Sequence, residues 1–535
     1  MAFMNDSILR RMRRWALILC SISLLLPGQA AATGDDTELI LGIVSVKTTR
    51  ILPLEPIERD IQSLYGVVYD SLIEIDDDYR PSGRLAESWS ETNNGRTWTF
   101  TLRDNVVFSD GTPLTARDVA ATTQYILNKA NQQQNANEGE GPPDRGYYQN
   151  LAYFVSSVSA PDDKTVVFKT KRNYYGFLYS LLYPILPGDR LEEENPPGTG
   201  AYIISQFEPQ EYMWLEVNPN WWQTPPQIKD IMIVFHTNNK ELTSAYEYSR
   251  VDALFTRNIS AAQYRTGVSS VSLDYRSRQL EMLYMNHGEQ ALKSANVRKA
   301  IRHAINVDQI ISRVYMGMAD RAETPLVPGI WLAGEYPDAF EYNPALAIQL
   351  LEEDGWYDYS GEGVRERTVE GKENPQRLHV RLLMYEEPDN DVRAAAANAI
   401  ADALAAVGFE IAISMDTQAN VADRLKARSY DLVLCSVNMD PVQDPGFLLM
   451  SGNTMNYMRY SSKAMDEAFN TLRNSSPSAA DYRANLIKIQ DLYVEDCPFI
   501  SLYFRKGVVI SRKMYTNARR VRELELLRGI DAYGR

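Results

Sequence analysis

Apolar residues recur with two periods along this chain. In the amino-terminal half the period is mostly two. Trp98, Phe100 and Leu102 alternate with threonines, Asp104-Asn105 supplies a turn and residues 106–108 return, which predicts a hairpin. Thr115, with Asp118 three residues on, predicts the start of a helix carrying Val119, Thr123, Ile126 and Leu127 on one side. A second hairpin is expected from residues 155–158, the turn 161–163 and the run Val166-Val167-Phe168. The polar stretches 128–145 and 359–376 carry glycine and proline without apolar periodicity and read as surface loops.

In the carboxyl-terminal half the period lengthens. Val297, Ala300, Ile301, Ala304 and Ile305 mark a half-buried helix, and Asn343-Pro344 and Gly355 bracket another. Residues 378–437 then spell β-α-β-α-β. Leu378, Val380, Leu382 and Met384 make a strand; a helix from Asp391 ends at Gly408; Phe409, Ile411 and Ile413 make a second strand. A shorter amphipathic segment, 419–428, leads into Leu432-Val433-Leu434-Cys435, a strand apolar enough to be buried on both faces.

Right-handed crossovers would make these strands parallel, and open α/β sheets bind ligands beyond the carboxyl ends of their strands. The loops there are 385–390, 416–418 and 438–445, with several carboxylates that suit a ligand bearing a positive group such as a free amine. The candidate ligand-contacting residues are Tyr385, Glu386 and Asp389 on the first loop and Asn438, Met439 and Asp440 on the last. Asn456 and Tyr460, just beyond, are weaker candidates, and packing is the rival role for Tyr460.

The chain has 535 residues, 44% of them hydrophobic, which excludes disorder and suits roughly three or four domain-sized units of about 150 residues. Lysine and arginine number 55 against 70 acids, so the charge is 55 − 70 = −15, the wrong sign for a phosphate-tracking nucleic-acid binder. Arg10, Arg11, Arg13 and Arg14 precede a short apolar stretch, 15–26, and then Ala30, Ala31 and Ala32. That order reads as a signal peptide over residues 1–32. Its removal takes four arginines and Asp6, leaving −15 − 3 = −18. A periplasmic, secreted or cell-surface protein is expected. Lipidation at Cys20 ranks lower because Leu19 precedes it, and an uncleaved anchor ranks third. Cys435 and Cys497 would remain, either bridged or as two buried thiols.

Catalytic and metal constellations are not evident. His236, His287, His303 and His379 fall in separate elements without metal-ligand spacing, and no nucleophile elbow, Walker loop or dinucleotide fingerprint is placed between a strand and a helix. Neither a cofactor nor a bound metal is expected. The 32 tyrosines against 15 phenylalanines suit a wet cleft whose rings stack on ligands and keep a hydroxyl for hydrogen bonds.

Four motifs carry a family resemblance. They are "LAESWSETNNGRTWTFTLRDNVVFSDGTPLTARDV" over 85–119, "GTGAYIISQFEPQEYMWLEVNPNWW" over 198–222, "NVRKAIRHAINVDQII" over 296–311, and "YNPALAIQLLEEDGW" followed by "YDLVLCSVNMDPVQDP". In that order they resemble the family 5 extracellular solute-binding proteins of ABC importers, which include dipeptide- and oligopeptide-binding members.

The resemblance implies a two-lobed α/β fold of the periplasmic-binding-protein type (type II, large cluster), with mixed sheets flanked by helices. The first lobe would cover 33–284 with an inserted subdomain at about 80–190, the second 285–498, and 499–535 would return to the first. It also implies a monomer that captures a peptide by lobe closure and hands it to an ABC permease and its ATPase. Asp440 would receive the ligand's α-amino group. The chain has Cys435-Ser436-Val437 where peptide binders tend to carry a tryptophan, so an oligosaccharide, a metal chelate or an opine-like solute is the alternative ligand. An exported carboxylate-based hydrolase, or a sensor or adhesion protein that delivers no solute, ranks below.

Overall fold

The computed structural model describes residues 37–527 except 56–57, 137–150, 260–269, 370, 372–373, 388–389, 513–521 and 524. Residues 1–32, where a signal peptide is expected, and Asp389 therefore lie outside the described residues. Among the described residues no helix is long and apolar enough to cross a membrane.

Strands His379–Tyr385, Glu410–Asp416 and Leu432–Asn438 run parallel, with His379–Tyr385 between the other two, as the β-α-β-α-β pattern requires. Helices Val392–Ala405 and Gln418–Ala427 make the crossovers. Leu432, Val433 and Leu434 are fully shielded, which is why that strand reads as an unbroken apolar run.

Leu432–Asn438 also pairs, antiparallel, with Val271–Met285, which lies antiparallel to Phe499–Ser511. From there the sheet continues through Ala253–Thr256, Glu38–Val44, Asp230–His236, Tyr212–Val217 and Tyr202–Glu208. The two connecting strands, of 15 and 13 residues, are more than twice the usual five or six. Each therefore serves two cores. Met285, Ile500 and Leu502 pack with the helices Ala295–Ala304 and Val392–Ala405, whereas Tyr275 and Val509 pack with the strands of the amino-terminal half. Their register breaks between Arg276 and Leu280 and again between Glu281 and Met282.

Within the segment expected to form a subdomain, a separate four-stranded antiparallel sheet is ordered Ala86–Thr92, Thr97–Leu102, Thr165–Thr170, Val155–Ser159. The second expected hairpin is there. The first is not. Thr97–Leu102 pairs with Ala86–Thr92 across a turn in which Asn93, Asn94 and Gly95 all have positive φ, while 106–108 folds back onto Thr112 and Leu114. The Asn-Gly pair was the stronger turn signal, because both central positions of a tight hairpin need the left-handed region.

The capping prediction holds: Asp118 accepts from both the main-chain N–H and the hydroxyl of Thr115, at 2.9 and 2.8 Å. The helix runs Ala116–Ala136, past Asn128 where a loop was expected. A helix already nucleated on a buried face extends through polar residues at little cost. The other expected loop, 359–376, holds one strand of a minimal hairpin, Glu366–Arg367 with Gln376–Arg377.

Candidate functional site

The carboxyl ends of His379–Tyr385 and Leu432–Asn438 meet the register break of the connecting strands, and four charged side chains are enclosed where they meet. Glu281 comes from Val271–Met285, Arg505 from Phe499–Ser511, Arg393 from the first turn of Val392–Ala405, and Glu387 from the loop after His379–Tyr385. Arg393 reaches Glu281 at 2.8 and 3.1 Å and Glu387 at 2.6 Å. Arg505 reaches Glu281 at 2.6 Å and Glu387 at 2.7 and 3.1 Å. Two carboxylates and two guanidiniums cancel, and each charge faces opposite charges, while the buried Nε atoms of Arg393 and Arg505 make no hydrogen bond. Burial works to raise the Glu387 carboxyl, but the two guanidiniums outweigh it and hold it below its ordinary range.

Tyr385 joins this cluster. Its hydroxyl accepts from Arg393 Nη2 at 2.8 Å and shares a 2.8 Å hydrogen bond with Ser436 Oγ, and the Arg393 guanidinium lies 4.0 Å from the ring centroid. Burial pushes its phenol upward, so it stays a neutral hydrogen-bonding group. Gln279 Nε2 also donates to Ser436 Oγ, at 3.0 Å.

The other expected residues fall at several depths. Asn438 ends its strand, exposed, opposite Gln279; Met439 is buried, its N–H bonded to the Arg278 carbonyl at 2.9 Å. Asp440 is half-buried, and its carbonyl accepts from Gln443 Nε2 at 3.2 Å. Glu386 is exposed. Asn456 and Tyr460 are engaged within the chain: the Asn456 side chain bonds the main chain of Met450 and of Tyr460, and the buried Tyr460 donates to Asp496. Cys435 and Cys497 are buried, unbridged thiols in different cores, and burial pushes Cys435 up to about 12. Among the described residues no group of three or more His, Cys, Asp or Glu is placed to hold a metal ion.

Sequence reasoning missed Glu281, Arg393 and Arg505, and on the loop after His379–Tyr385 it chose Glu386 and Asp389 rather than Glu387. One signal was available: Glu281 interrupts the apolar run 280–285, and a lone charge inside a strand buried on both faces must have a partner.

Comparison with known proteins decides the family. The sequence profile of the bacterial extracellular solute-binding proteins, family 5 Middle, matches residues 80–458, well over half of the chain. The chain belongs to this family. Among curated relatives, it is 27% identical over 339 residues to the nickel-binding periplasmic protein of Escherichia coli (strain K12), covering 59% of this chain and 60% of that protein. It is 22% identical over 497 residues to the oligopeptide-binding protein AppA of Bacillus subtilis (strain 168), covering 87% and 86%.

The structure of AppA in complex with a nonapeptide superposes with a TM-score of 0.65 at 20% identity, over 93% of this chain and 98% of that one. NikA from Brucella suis, in complex with Fe(III)-EDTA, superposes at 0.75 with 18% identity, over 92% and 99%. These likenesses fix the two-lobed α/β fold of this family 5 protein.

Proposed function

We propose that this family 5 protein is the extracytoplasmic substrate-binding component of an ABC importer, capturing peptides by lobe closure and passing them to the permease. The observation that carries the reading is the pair of long antiparallel strands, each shared between two cores and broken in register between Arg276 and Leu280. Rotation about that break opens and closes a cleft without unfolding either core, which is how hinged domains sequester a ligand from water. No bond is made or broken in this role.

Peptides are favoured by charge. The enclosed carboxylates Glu281 and Glu387 are balanced by Arg393 and Arg505, and the loops at the strand ends add the exposed Glu386 and the half-buried Asp440. Asp440 receives a ligand's α-ammonium group in this reading. A pair of that kind strengthens when the closing lobes exclude water. A second reading, capture of a metal chelate, is supported by the nickel-binding relative.

Native mass spectrometry of the mature protein, followed by denaturation, identifies what it carries. Short peptides are the expected result; a metal chelate would move the assignment to the second reading. Asp440→Ala should weaken binding of a free-amine peptide by about 2 kcal/mol or more in calorimetry, and leave an N-acetylated peptide unaffected. Equal losses for both peptides would remove Asp440 from the amine site.

A further inference from the structure

Two segments distant in sequence converge on the ligand loop at Asp444, four residues beyond Asp440. Arg473, in the last turn of helix Lys463–Asn474, grips the Asp444 carboxylate with Nε at 2.8 Å and Nη2 at 2.9 Å. The Gly446 N–H gives Oδ1 a second donor at 2.9 Å. The remaining contact comes from the other half of the molecule: Tyr174 donates its hydroxyl to Asp444 Oδ2 at 3.2 Å.

Tyr174 is held there from both sides. Its ring stacks on Phe154, centroids 5.1 Å apart, and meets Tyr482 of helix Ala479–Asp496 edge-on at 5.5 Å. The flanking main chain pairs with the segment just after Arg473: the Tyr175 N–H donates to the Ser476 carbonyl at 2.7 Å, and the Ser476 N–H to the Asn173 carbonyl at 3.0 Å. A side chain that only filled space here would not need its hydroxyl, whereas a desolvated carboxylate needs every donor it can reach.

The stretch between Asp440 and Asp444 has little slack. Gln443 ties it internally, through the Asp440 carbonyl at 3.2 Å, and to the main-chain N–H of Val327 at 3.4 Å. A displacement at Asp444 is therefore felt at Asp440. We propose that Tyr174 is a positioning residue that couples closure of the lobes to the shape of the ligand loop 438–445, acting through Asp444. The inference rests on the reading that this loop receives the ligand.

Hydrogen exchange of the mature protein without ligand tests the coupling separately from the ligand assignment. Tyr174→Phe should speed exchange of the Met439 and Gly446 amides roughly 10-fold, the loss expected for one hydrogen bond to a charged group, and leave Tyr212–Val217 unchanged. Faster exchange at 173–177 with an unaltered loop would overturn the proposal and leave Tyr174 as packing.

If that variant does not fold, the unmodified protein still decides. Segments 173–177 and 438–446 should open as one unit, losing protection together as urea rises, and independent opening of the two would overturn the coupling. Failure of peptides to bind in calorimetry would instead strike the ligand reading while the exchange result stood.

Discussion

Glu281 has no contact with water, and two guanidiniums converge on it. Replacing it with glutamine leaves Arg393 and Arg505 facing the single carboxylate of Glu387. Breaking one partner out of such a set costs about 3–5 kcal/mol, so Glu281→Gln should lower the urea midpoint sharply without changing the slope. His287 gives a pH signature at the same scale. Burial first, and then the nearby Arg298 charge, hold its imidazole down to about 4 against an ordinary 6.5. Above pH 6.5 it is neutral folded or unfolded. Below that the unfolded chain takes up the proton first, so stability falls as the pH drops from 6.5 to about 4, by about 3 kcal/mol in total. His287→Asn should flatten that part of the stability curve. Of the residues in the charged cluster and its surroundings, Tyr385 was singled out in the sequence because a strand ended beside it. Arg393 was not, since an arginine in the first turn of a helix looks like any solvated charge until Glu281 is brought beneath it.

Among the elements, the Gly198-Thr199-Gly200 segment shows how a motif carries a packing requirement. A Cβ on Gly198 would stand 2.0 Å from the Val68 carbonyl oxygen, and one on Gly200 would stand 2.4 Å from that of Val67. The close approach lets Gly200 N–H bond the Val68 carbonyl at 2.9 Å and Tyr202 N–H bond that of Val67 at 3.0 Å. Gly198→Ala must push main chain against main chain, and an expected loss of about 1–3 kcal/mol is measurable by thermal unfolding. Thr199 Oγ1 donates to the buried Asp70 at 3.0 Å, so the residue between the glycines is also fixed. The elements themselves were largely legible. The β-α-β-α-β unit, the capped helix after Thr115 and the helix opened by Asn343-Pro344 all lie where period and caps put them, because those signals are local. The misassigned partner of Thr97–Leu102 is the opposite case. Alternation marks a strand, but its neighbour is chosen by which turn closes and which face is buried.

For the whole molecule, the described structure has the two halves in contact through side chains as well as through the connecting strands. Trp331 Nε1 donates to the Tyr79 carbonyl and the Tyr179 hydroxyl, each at 3.0 Å, and the Arg80 guanidinium lies 4.4 Å from the Trp331 ring. Trp331→Phe removes both hydrogen bonds while keeping an aromatic ring, and should shift the ligand-free protein toward an open form seen as a larger radius of gyration in X-ray scattering. The sequence by itself determined the local rhythm of strands and helices, the acidic charge and the family motifs, because each depends on neighbours a few residues apart. Only the tertiary structure decided that two strands span both cores, that Glu281, Glu387, Arg393 and Arg505 neutralise one another, and that Tyr174 reaches Asp444. Except for Arg393 with Glu387, six residues apart, those contacts join segments more than a hundred residues apart, and no spacing along the chain encodes which buried charge or hydroxyl will meet which.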